Sequence, residues 1–211
     1  MAKVTIIIPN YNGKPFMEPC LKSLAEQTCK DFKILVVDNA STDGSVEYMK
    51  EEYPEIETLV LDQNYGFSKA VNVGIRHADT PYVLLLNNDT TVDPHFVREM
   101  IRAIERSRYI FSVSSKMIQM YHPELIDSAG DLYTAIGWGI CRGAGRSITN
   151  YTEDCEIFSA CAGAAIYRRE LFKKIGYFDE NHFAYLEDID VGYRAKIYGY
   201  KNVYCPSALV Y

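Results

Sequence analysis

The stretch Tyr82-Val83-Leu84-Leu85-Leu86-Asn87-Asn88-Asp89-Thr90 decides the fold of this chain. Its apolar first half has the length of a strand and is typical of one buried on both faces of a parallel sheet. Ligands of open α/β sheets bind just beyond the carboxyl ends of such strands. The two amides and the carboxylate that follow therefore suit a hard divalent cation that carries phosphates. An ordinary solvated turn is the alternative, because Asn and Asp are common turn residues.

Composition narrows the class of protein. The 211 residues are 48% hydrophobic, enough for one α/β domain or a domain with an appendage. A net charge of −6 without a basic stripe argues against a nucleic-acid partner. The six cysteines form no Cys-x-x-Cys pair, which favours reduced thiols in a cytoplasmic protein over a zinc site or a disulfide scaffold.

The sequence contains no obvious membrane or leader segment. No apolar stretch approaches the roughly 18 residues that a membrane helix needs. Met1-Ala2-Lys3 leads directly into a predicted strand, so we expect no signal peptide.

Strands and helices alternate through the first half of the chain. Strands are predicted at 4–9, 32–38, 56–61 and 81–87. Between them, Met17, Leu21 and Leu24 share one helical face, and helices are predicted at 43–52, capped by Ser41 or Thr42, and at 66–77. Asp93-Pro94 begins a fourth helix, whose buried residues should be Phe96, Met100, Ile101 and Ile104. This alternation predicts a right-handed, mostly parallel sheet with helices on both faces.

The second half has a weaker pattern. Strands are predicted near 110–119 and 158–167, a helix at 186–198 and a short strand at 202–205, with 206–211 resembling the entrance of another strand. The glycine-rich stretch 135–154 predicts a mobile loop, since loops of that length are usually functional or disordered. Its Trp138 is either a loop anchor or a platform for a ligand.

Polar residues follow three of the predicted first-half strands. They are Pro9, Tyr11 and Asn12 after the first strand, Asp38 and Asn39 after the second, and Asn87, Asn88 and Asp89 after the fourth. Because the carboxyl ends of parallel strands share one sheet edge, these residues should converge on one cleft. A planar base could stack on Tyr11 while Asp38 accepts a hydrogen bond from a ring N–H; a turn or capping carboxylate is the alternative for Asp38.

The loop after the third strand is a candidate diphosphate site. Asn64-Tyr65-Gly66 opens a helix that carries Lys69 and Asn72, and a helix N-terminus offers free N–H groups to phosphates. An ordinary capped helix with an exposed Lys69 is the alternative. The lack of a Gly-x-Gly-x-x-Gly fingerprint weakens a dinucleotide site, and the lack of a Gly-Lys-Ser/Thr loop removes a P-loop ATPase.

A second acidic group lies at Glu187, Asp188 and Asp190. Acidic residues stabilise the first turn of a helix, which is the simpler interpretation. Crowded like charges also raise a carboxyl pKa toward the working range of a general base. Arg194 lies one turn after Asp190 and offers it a structural partner, so Asp188 is the freer candidate for chemistry.

These motifs together resemble the family-2 glycosyltransferases of the GT-A fold. The resemblance runs from Val4 to Tyr211. Within the family, the motifs look most like those of the rhamnosyltransferase-like branch. It rests on five segments in order, which are Val4-Thr5-Ile6-Ile7-Ile8-Pro9-Asn10-Tyr11-Asn12, Val36-Val37-Asp38-Asn39-Ala40-Ser41-Thr42-Asp43-Gly44, Asn64-Tyr65-Gly66-Phe67, Leu86-Asn87-Asn88-Asp89 and Glu187-Asp188-Ile189-Asp190.

The resemblance implies an inverting glycosyltransferase that uses a nucleotide-diphosphate sugar and Mg²⁺ or Mn²⁺. Residues 1–110 would bind the donor, and residues 111–211 would bind the acceptor and carry the base. The hydroxyl acceptor would be a saccharide or a lipid-linked saccharide of a bacterial surface polysaccharide or glycolipid. We expect a cytoplasmic protein, with peripheral contact at the inner face of the membrane as a further option.

The resemblance also assigns residues. Asp38 and Tyr11 would hold the nucleoside, and Asp188 would be the base, with Glu187 as the substitute. Asp89 would be the last acid of the family's Asp-x-Asp motif, although Asn87 replaces its first acid. Gly163, Arg169 and Trp138 would lie on the acceptor side. In the family, the strand that matches residues 204–211 commonly continues into a His that completes the metal site. Residues 1–211 do not include that His, so we expect weak metal binding when nucleotide is absent.

Other classes stay open from the sequence. A sugar-nucleotide pyrophosphorylase shares the fold class and the metal but normally carries a Gly-rich basic loop after its first strand. A non-catalytic module would bind nucleotide sugar without turnover. A membrane-bound polymerase of the same family is disfavoured, since neither spans nor a Gln-x-x-Arg-Trp motif are visible.

Overall fold

The computed structural model describes residues 2–211; Met1, on which the predicted absence of a leader partly rests, lies outside the described residues. In chain order the elements are β1 (Val4–Asn10), α1 (Lys14–Ala25), β2 (Phe32–Asp38), α2 (Ser45–Glu52), β3 (Glu57–Val60), α3 (Gly66–His77), β4 (Tyr82–Leu86), α4 (Phe96–Glu105), β5 (Ile110–Gln119), β6 (His122–Ser128), β7 (Asp131–Tyr133), β8 (Gly139–Cys141), β9 (Cys155–Ile157), β10 (Ala164–Arg168), a 3₁₀ turn (Arg169–Leu171), α5 (Phe172–Ile175), α6 (Glu187–Ile197) and β11 (Lys201–Val210).

The central sheet is mixed, and its first-half strands are all parallel. The strand order is β3-β2-β1-β4-β10-β5-β11-β9, with β6 paired to β5, while β7 and β8 form a separate ribbon. Strand β10 runs antiparallel to both β4 and β5 and joins the two halves. The predicted α/β architecture with a largely parallel first half is confirmed.

Apolar side chains cover both faces of this sheet, which explains the continuous apolar strands. Ile6 and Ile8 pack on one side, in the core formed with α1, α2 and α4. Ile7 packs on the other side, in the core formed with α3, α5 and α6. Because successive strand residues point to opposite faces, a strand with a core on each side has no position for polar residues.

Several second-half predictions were wrong in their bounds. Of the predicted strand 158–167, only residues 164–167 are strand, as part of β10, which pairs with β4 and β5. Strand β9 ends at Ile157, before the predicted start, and pairs with β11. The predicted strand 202–205 extends through Pro206 to Val210, with a register shift between Tyr204 and Leu209. A bulge of this kind leaves residues unpaired, which is where a strand tolerates proline.

Two local predictions also need correction. The stretch 135–154 is not all loop, because it contains β8; its Ile148 carbonyl accepts a hydrogen bond from Lys116 Nζ at 2.6 Å, and its mobility stays a prediction. Helix α2 begins at Ser45 and not at residue 43. Its first N–H is bound by Asp43 Oδ1 at 3.0 Å and not by Ser41 or Thr42, because Gly44 adopts a left-handed conformation directly before the helix.

In residues 2–211, none of the helices is both long enough and apolar enough to cross a bilayer.

Candidate active site

Asn10 joins the polar ends of three strands into one network. It lies opposite Asp38 in the β1–β2 register, and its Nδ2 donates to Asp38 Oδ2 at 2.7 Å and to Ser41 Oγ at 3.1 Å. Its Oδ1 accepts from Asn88 Nδ2 at 2.6 Å. The parallel strands therefore bring together the residues that the sequence predicted at one edge. Asn10 itself was missed as a site residue, although its place between Pro9 and Tyr11 at a strand end was a usable signal.

Asp38 lies beneath the surface of this network. Its side chain is 1% exposed, and its Oδ1 accepts from the Ser41 N–H at 2.8 Å while Oδ2 accepts from Asn10. Since each carboxylate oxygen has a second acceptor position, one further donor can still be bound. Tyr11 lines the same sheet edge and is 52% exposed, so its ring is available for stacking.

Asn12 ties the loop after β1 to the loop after β2. Its Oδ1 accepts from the Thr42 N–H, and its own N–H donates to Ser41 Oγ, both at 2.8 Å. Its φ of 52° is left-handed, a conformation that Asn tolerates better than most residues. Asn12 thus shapes the loops around Asp38.

The cleft at this sheet edge has a volume of about 250 Å³. We call it the strand-edge cleft; its walls include Pro9, Tyr11, Asn39, Asn64, Asn88 and Asp89. Asn39 is hydrogen-bonded to the start of α3. Its Oδ1 accepts from the Tyr65 N–H and its Nδ2 donates to the Gly66 carbonyl, both at 3.0 Å.

The first two N–H groups of α3 are hydrogen-bonded within the chain, as in the capped-helix alternative. Asn64 Oδ1 accepts from the Gly66 N–H at 2.9 Å. The next N–H, of Phe67, donates to the Phe183 carbonyl at 2.7 Å. Gly66 has φ +81°, and a Cβ there would lie 2.4 Å from the same carbonyl, so this position requires glycine. The Phe183 carbonyl therefore binds an N–H group that the diphosphate interpretation left free.

Lys69 and Asn72 are bound away from the cleft. Lys69 Nζ pairs with Glu180 Oε2 at 2.7 Å. Asn72 is buried, with its Nδ2 donating to the Phe178 carbonyl at 2.8 Å and its Oδ1 accepting from the Phe178 N–H at 3.1 Å. Their side chains anchor the segment before α6, and their contact with a donor stays a prediction.

Asp89 stands exposed at the end of the β4 motif, whose backbone is held by the Asn87 N–H donating to the Gly163 carbonyl at 2.8 Å. Among residues 2–211, no three His, Cys, Asp or Glu side chains are grouped so that they could hold a metal ion. One carboxylate beside the amide of Asn87 fits a hard cation whose other ligands come from phosphate and water. The donor set therefore suits a metal that arrives with a diphosphate.

The second carboxylate group lines a separate cavity of about 480 Å³, which we call the acidic cavity. Its walls include Asp127, Asp131, Cys141, Gly163, Glu187 and Asp188, and it shares Phe67 and Asn87 with the strand-edge cleft. The two spaces are thus neighbours around one pair of side chains.

The two residues before α6 form a strained turn, and the carboxylates of α6 follow directly after it. Tyr185 and Leu186 have φ of 74° and 70°, which is costly for residues of this size. Asp188 Oδ1 then accepts from the Ile189 N–H at 2.8 Å, and Oδ2 accepts from the Ala162 N–H at 3.2 Å. Asp190 pairs with Arg194 at 2.6 Å, as predicted.

Burial changes the acidity of these groups. It raises the pKa of Asp188, against the opposing effect of the amide hydrogen bonds. It also raises the pKa of Glu187 to about 7, with the charge of Asp188 adding to the effect. Glu187 Oε2 is buried and has no hydrogen-bond partner among the described residues. Glu187 can therefore exchange a proton near neutral pH.

The predicted acceptor-side residues are separated. Gly163 lies in the acidic cavity, opposite Asn87. Arg169 is at the other end of β10, where its Nε donates to the Thr80 carbonyl at 2.6 Å, because β10 crosses the sheet antiparallel to β4. Arg169 and Gly163 therefore lie at opposite ends of β10, and an acceptor-side role for Arg169 stays a prediction. Trp138 lies in the turn between β7 and β8 and is 68% exposed, so neither of its two interpretations is excluded.

The mixed sheet with helices on both faces is an architecture of the GT-A type, as its solved structural neighbours show. Comparison with known proteins agrees: the model of glycosyl transferase family 2 matches residues 5–176. The chain belongs to that family, and the predicted glycosyltransferase class is confirmed.

Similar proteins span bacteria and archaea. "Uncharacterized glycosyltransferase YwdF" of Bacillus subtilis is 29% identical over 98% of this chain and 73% of its own length. "N-acetylglucosaminyl-diphospho-decaprenol L-rhamnosyltransferase" of Mycobacterium tuberculosis is 25% identical over 97% of this chain and 74% of its own length. The solved mannosyltransferase PcManGT of Pyrobaculum calidifontis has a TM-score of 0.71 at 20% identity, covering 99% of this chain and 56% of that one. The last likeness establishes a shared fold.

Proposed function

We propose that this chain is an inverting glycosyltransferase that moves a sugar from a nucleotide-diphosphate sugar to a hydroxyl of a saccharide or lipid-linked saccharide. The observation that carries the proposal is the meeting of two cavities at Phe67 and Asn87. One presents an exposed carboxylate, Asp89, and the other presents a half-buried one, Asp188. Inversion requires this division, because the acceptor attacks the face of the sugar opposite the leaving diphosphate.

The strand-edge cleft would bind the nucleoside. Tyr11 offers an exposed ring for stacking on a base. Asp38 is held by Asn10 and Ser41 and retains acceptor capacity for a ring N–H or a ribose hydroxyl. The cleft thus combines one aromatic surface with one buried charged acceptor.

A divalent cation, Mg²⁺ or Mn²⁺, would be held by Asp89, with the Asn87 amide and the diphosphate oxygens as further ligands. When bound, it would neutralise charge that develops on the leaving diphosphate. The related fold of PcManGT was solved with GDP-Man and Mn²⁺.

Asp188 would act as the general base. The acceptor oxygen forms a bond to the anomeric carbon, the bond from that carbon to the diphosphate oxygen breaks, and the hydroxyl proton passes to Asp188. Proton removal by a positioned base contributes about 10²–10⁴-fold to such a rate. The two backbone N–H groups on Asp188 favour its ionised form, which is the form a base requires.

The names of two relatives support a class of acceptor. The Mycobacterium relative is named for a diphospho-decaprenol acceptor, and a shorter match of 34% identity over 42% of the chain is a teichoic acid poly(glycerol phosphate) polymerase of Staphylococcus epidermidis. Both names support a bacterial surface polymer or glycolipid as the product. A nucleotide-sugar-binding module is the second candidate function. It would bind the donor but would transfer no sugar in an activity assay.

The experiment begins with a thermal-shift panel of UDP-, GDP- and dTDP-sugars with Mn²⁺, followed by a transfer assay with the stabilising donor. Asp38→Ala should weaken nucleotide binding by calorimetry and leave the fold intact. Asp188→Asn should abolish transfer and keep donor binding, while Asp190→Asn, a neighbour engaged by Arg194, serves as the matched control. Transfer by Asp188→Asn within a few-fold of the unmodified chain would remove Asp188 as the base. Binding without any turnover by the unmodified chain would favour the module.

A further inference from the structure

Asp131 is a buried carboxyl in the acidic cavity that the sequence did not single out. It is 7% exposed at the start of β7. Its backbone is fixed by the Asp131 N–H donating to the Ser159 carbonyl at 2.9 Å and by the Phe158 N–H donating to the Asp131 carbonyl at 3.0 Å. The pairing of Asp131 with Cys141 puts both on the ribbon strands that border the cavity. Its position is thus set by two elements at once.

The hydrogen bonds of Asp131 and Asp188 differ in a way that assigns the proton. Asp188 accepts from two backbone N–H groups, which stabilise its charge. Asp131 accepts only a long bond of 3.3 Å from Ser159 Oγ to its Oδ2. Two neighbouring carboxyls in unequal surroundings divide the roles of acid and base. The hydrogen bonds therefore favour the charge on Asp188 and the proton on Asp131.

A second observation indicates a ligand in this cavity. Glu187 lines it, is 6% exposed, and its Oε2 has no hydrogen-bond partner among the described residues. Native structures rarely leave such an atom without a partner, so a bound molecule with a hydroxyl group is a fitting one. A cavity of about 480 Å³ has room for a sugar ring.

We propose that Asp131 is an acceptor-positioning residue, which stays protonated beside ionised Asp188 and donates a hydrogen bond to an oxygen of the incoming saccharide. This role rests on the proposed function. It gives the cavity a donor on one side and a base on the other, so that one acceptor hydroxyl is turned toward Asp188.

The electrostatic surroundings agree with this assignment. Burial raises the pKa of Asp131 to about 7, and the charges of Asp188 and Glu187 add to the effect. Burial also raises the pKa of the other titratable groups near it, which are Cys141, Cys161 and Tyr167, and they stay neutral at pH 7. Asp127 contributes negative charge at Cys141, and His182 before α6 opposes the negative charge of Glu187 and Asp188.

The test compares Asp131→Ala, Asp131→Asn and Glu153→Gln, an exposed carboxyl outside the cavity, across pH 5 to 9. In the unmodified chain, kcat/KM for the acceptor should fall as pH rises through about 7, because Asp131 loses its proton. Asp131→Ala should raise the acceptor KM about tenfold and leave donor affinity unchanged. Asp131→Asn, which keeps a neutral donor, should restore much of that loss and remove the alkaline fall. An unchanged acceptor KM in Asp131→Ala, or the same alkaline fall in Asp131→Asn, would overturn the proposal.

A readout without activity separates this proposal from the function it rests on. Carbon-detected NMR titration should find Asp131 protonated at pH 6, with a lower pKa in Asp188→Asn, where the neighbouring charge is removed. An Asp131 already ionised at pH 5 would refute the proposal even in an active enzyme. The expected titration in a chain that transfers no sugar from any donor would instead refute the glycosyltransferase function, and the positioning role with it.

Discussion

Replacing Asn10 with alanine should damage both stability and nucleotide binding, because one side chain holds three strand ends. The change removes the donor to the buried Asp38 carboxylate and the acceptor for Asn88 Nδ2. A hydrogen bond to a charged group contributes about 1.5–3 kcal/mol and a neutral one about 0.5–1.5 kcal/mol. We therefore expect a loss of about 3 kcal/mol in the free energy of unfolding.

The assay is urea unfolding, followed by calorimetric titration of the nucleoside diphosphate that stabilises the unmodified chain most. Nucleotide affinity should fall at least about tenfold, or about 1.4 kcal/mol, because Asp38 and Asn88 lose their common support. Asn202→Ala is the matched control: this asparagine is also buried and hydrogen-bonded, to Ser112, Phe158 and Gly192. It should lose stability and keep nucleotide affinity. A loss below about 1 kcal/mol with unchanged affinity for Asn10→Ala would refute the role of the network.

Three further outcomes follow from single contacts. Gly66→Ala should destabilise the fold by more than Gly145→Ala. Both glycines have positive φ, but only a Cβ at Gly66 would meet a backbone carbonyl, at 2.4 Å. Equal losses in the free energy of unfolding, measured with urea, would contradict this. Because the folded pKa of Glu187 is raised to about 7, stability should decline as pH rises from about 4.5 through 7. Glu187→Gln should flatten that decline in unfolding measured across pH, whereas exposed Glu170→Gln should not. Asp89→Asn should remove any enhancement of nucleotide binding by Mn²⁺ in calorimetric titration. An enhancement that survives would show that Asp89 is not the metal ligand.

Local patterns were sufficient for the first half of the fold. The strand Phe32–Asp38 and the helix Gly66–His77 have the predicted bounds, and the other first-half strands differ by only one or two residues. Each depends on short-range periodicity and on turn residues at its ends, which are legible in the sequence. The convergence of Asn10, Asp38 and Asn88 also follows, because parallel strands that share a sheet align their carboxyl ends.

What only the tertiary structure decided depends on residues far apart in the chain. Asn72 meets Phe178, 106 residues away, and so leaves the cleft it was expected to line. Arg169 is carried to the opposite end of the sheet because β10 runs antiparallel, and a five-residue strand has no local mark of its direction. Asp131 looks like an ordinary turn aspartate after Gly130 until Ser159 and α6 bury it beside Asp188. Periodicity reports which face of an element is buried, whereas the partner of that face, and with it the acidity of a carboxyl, is set by packing across the whole chain.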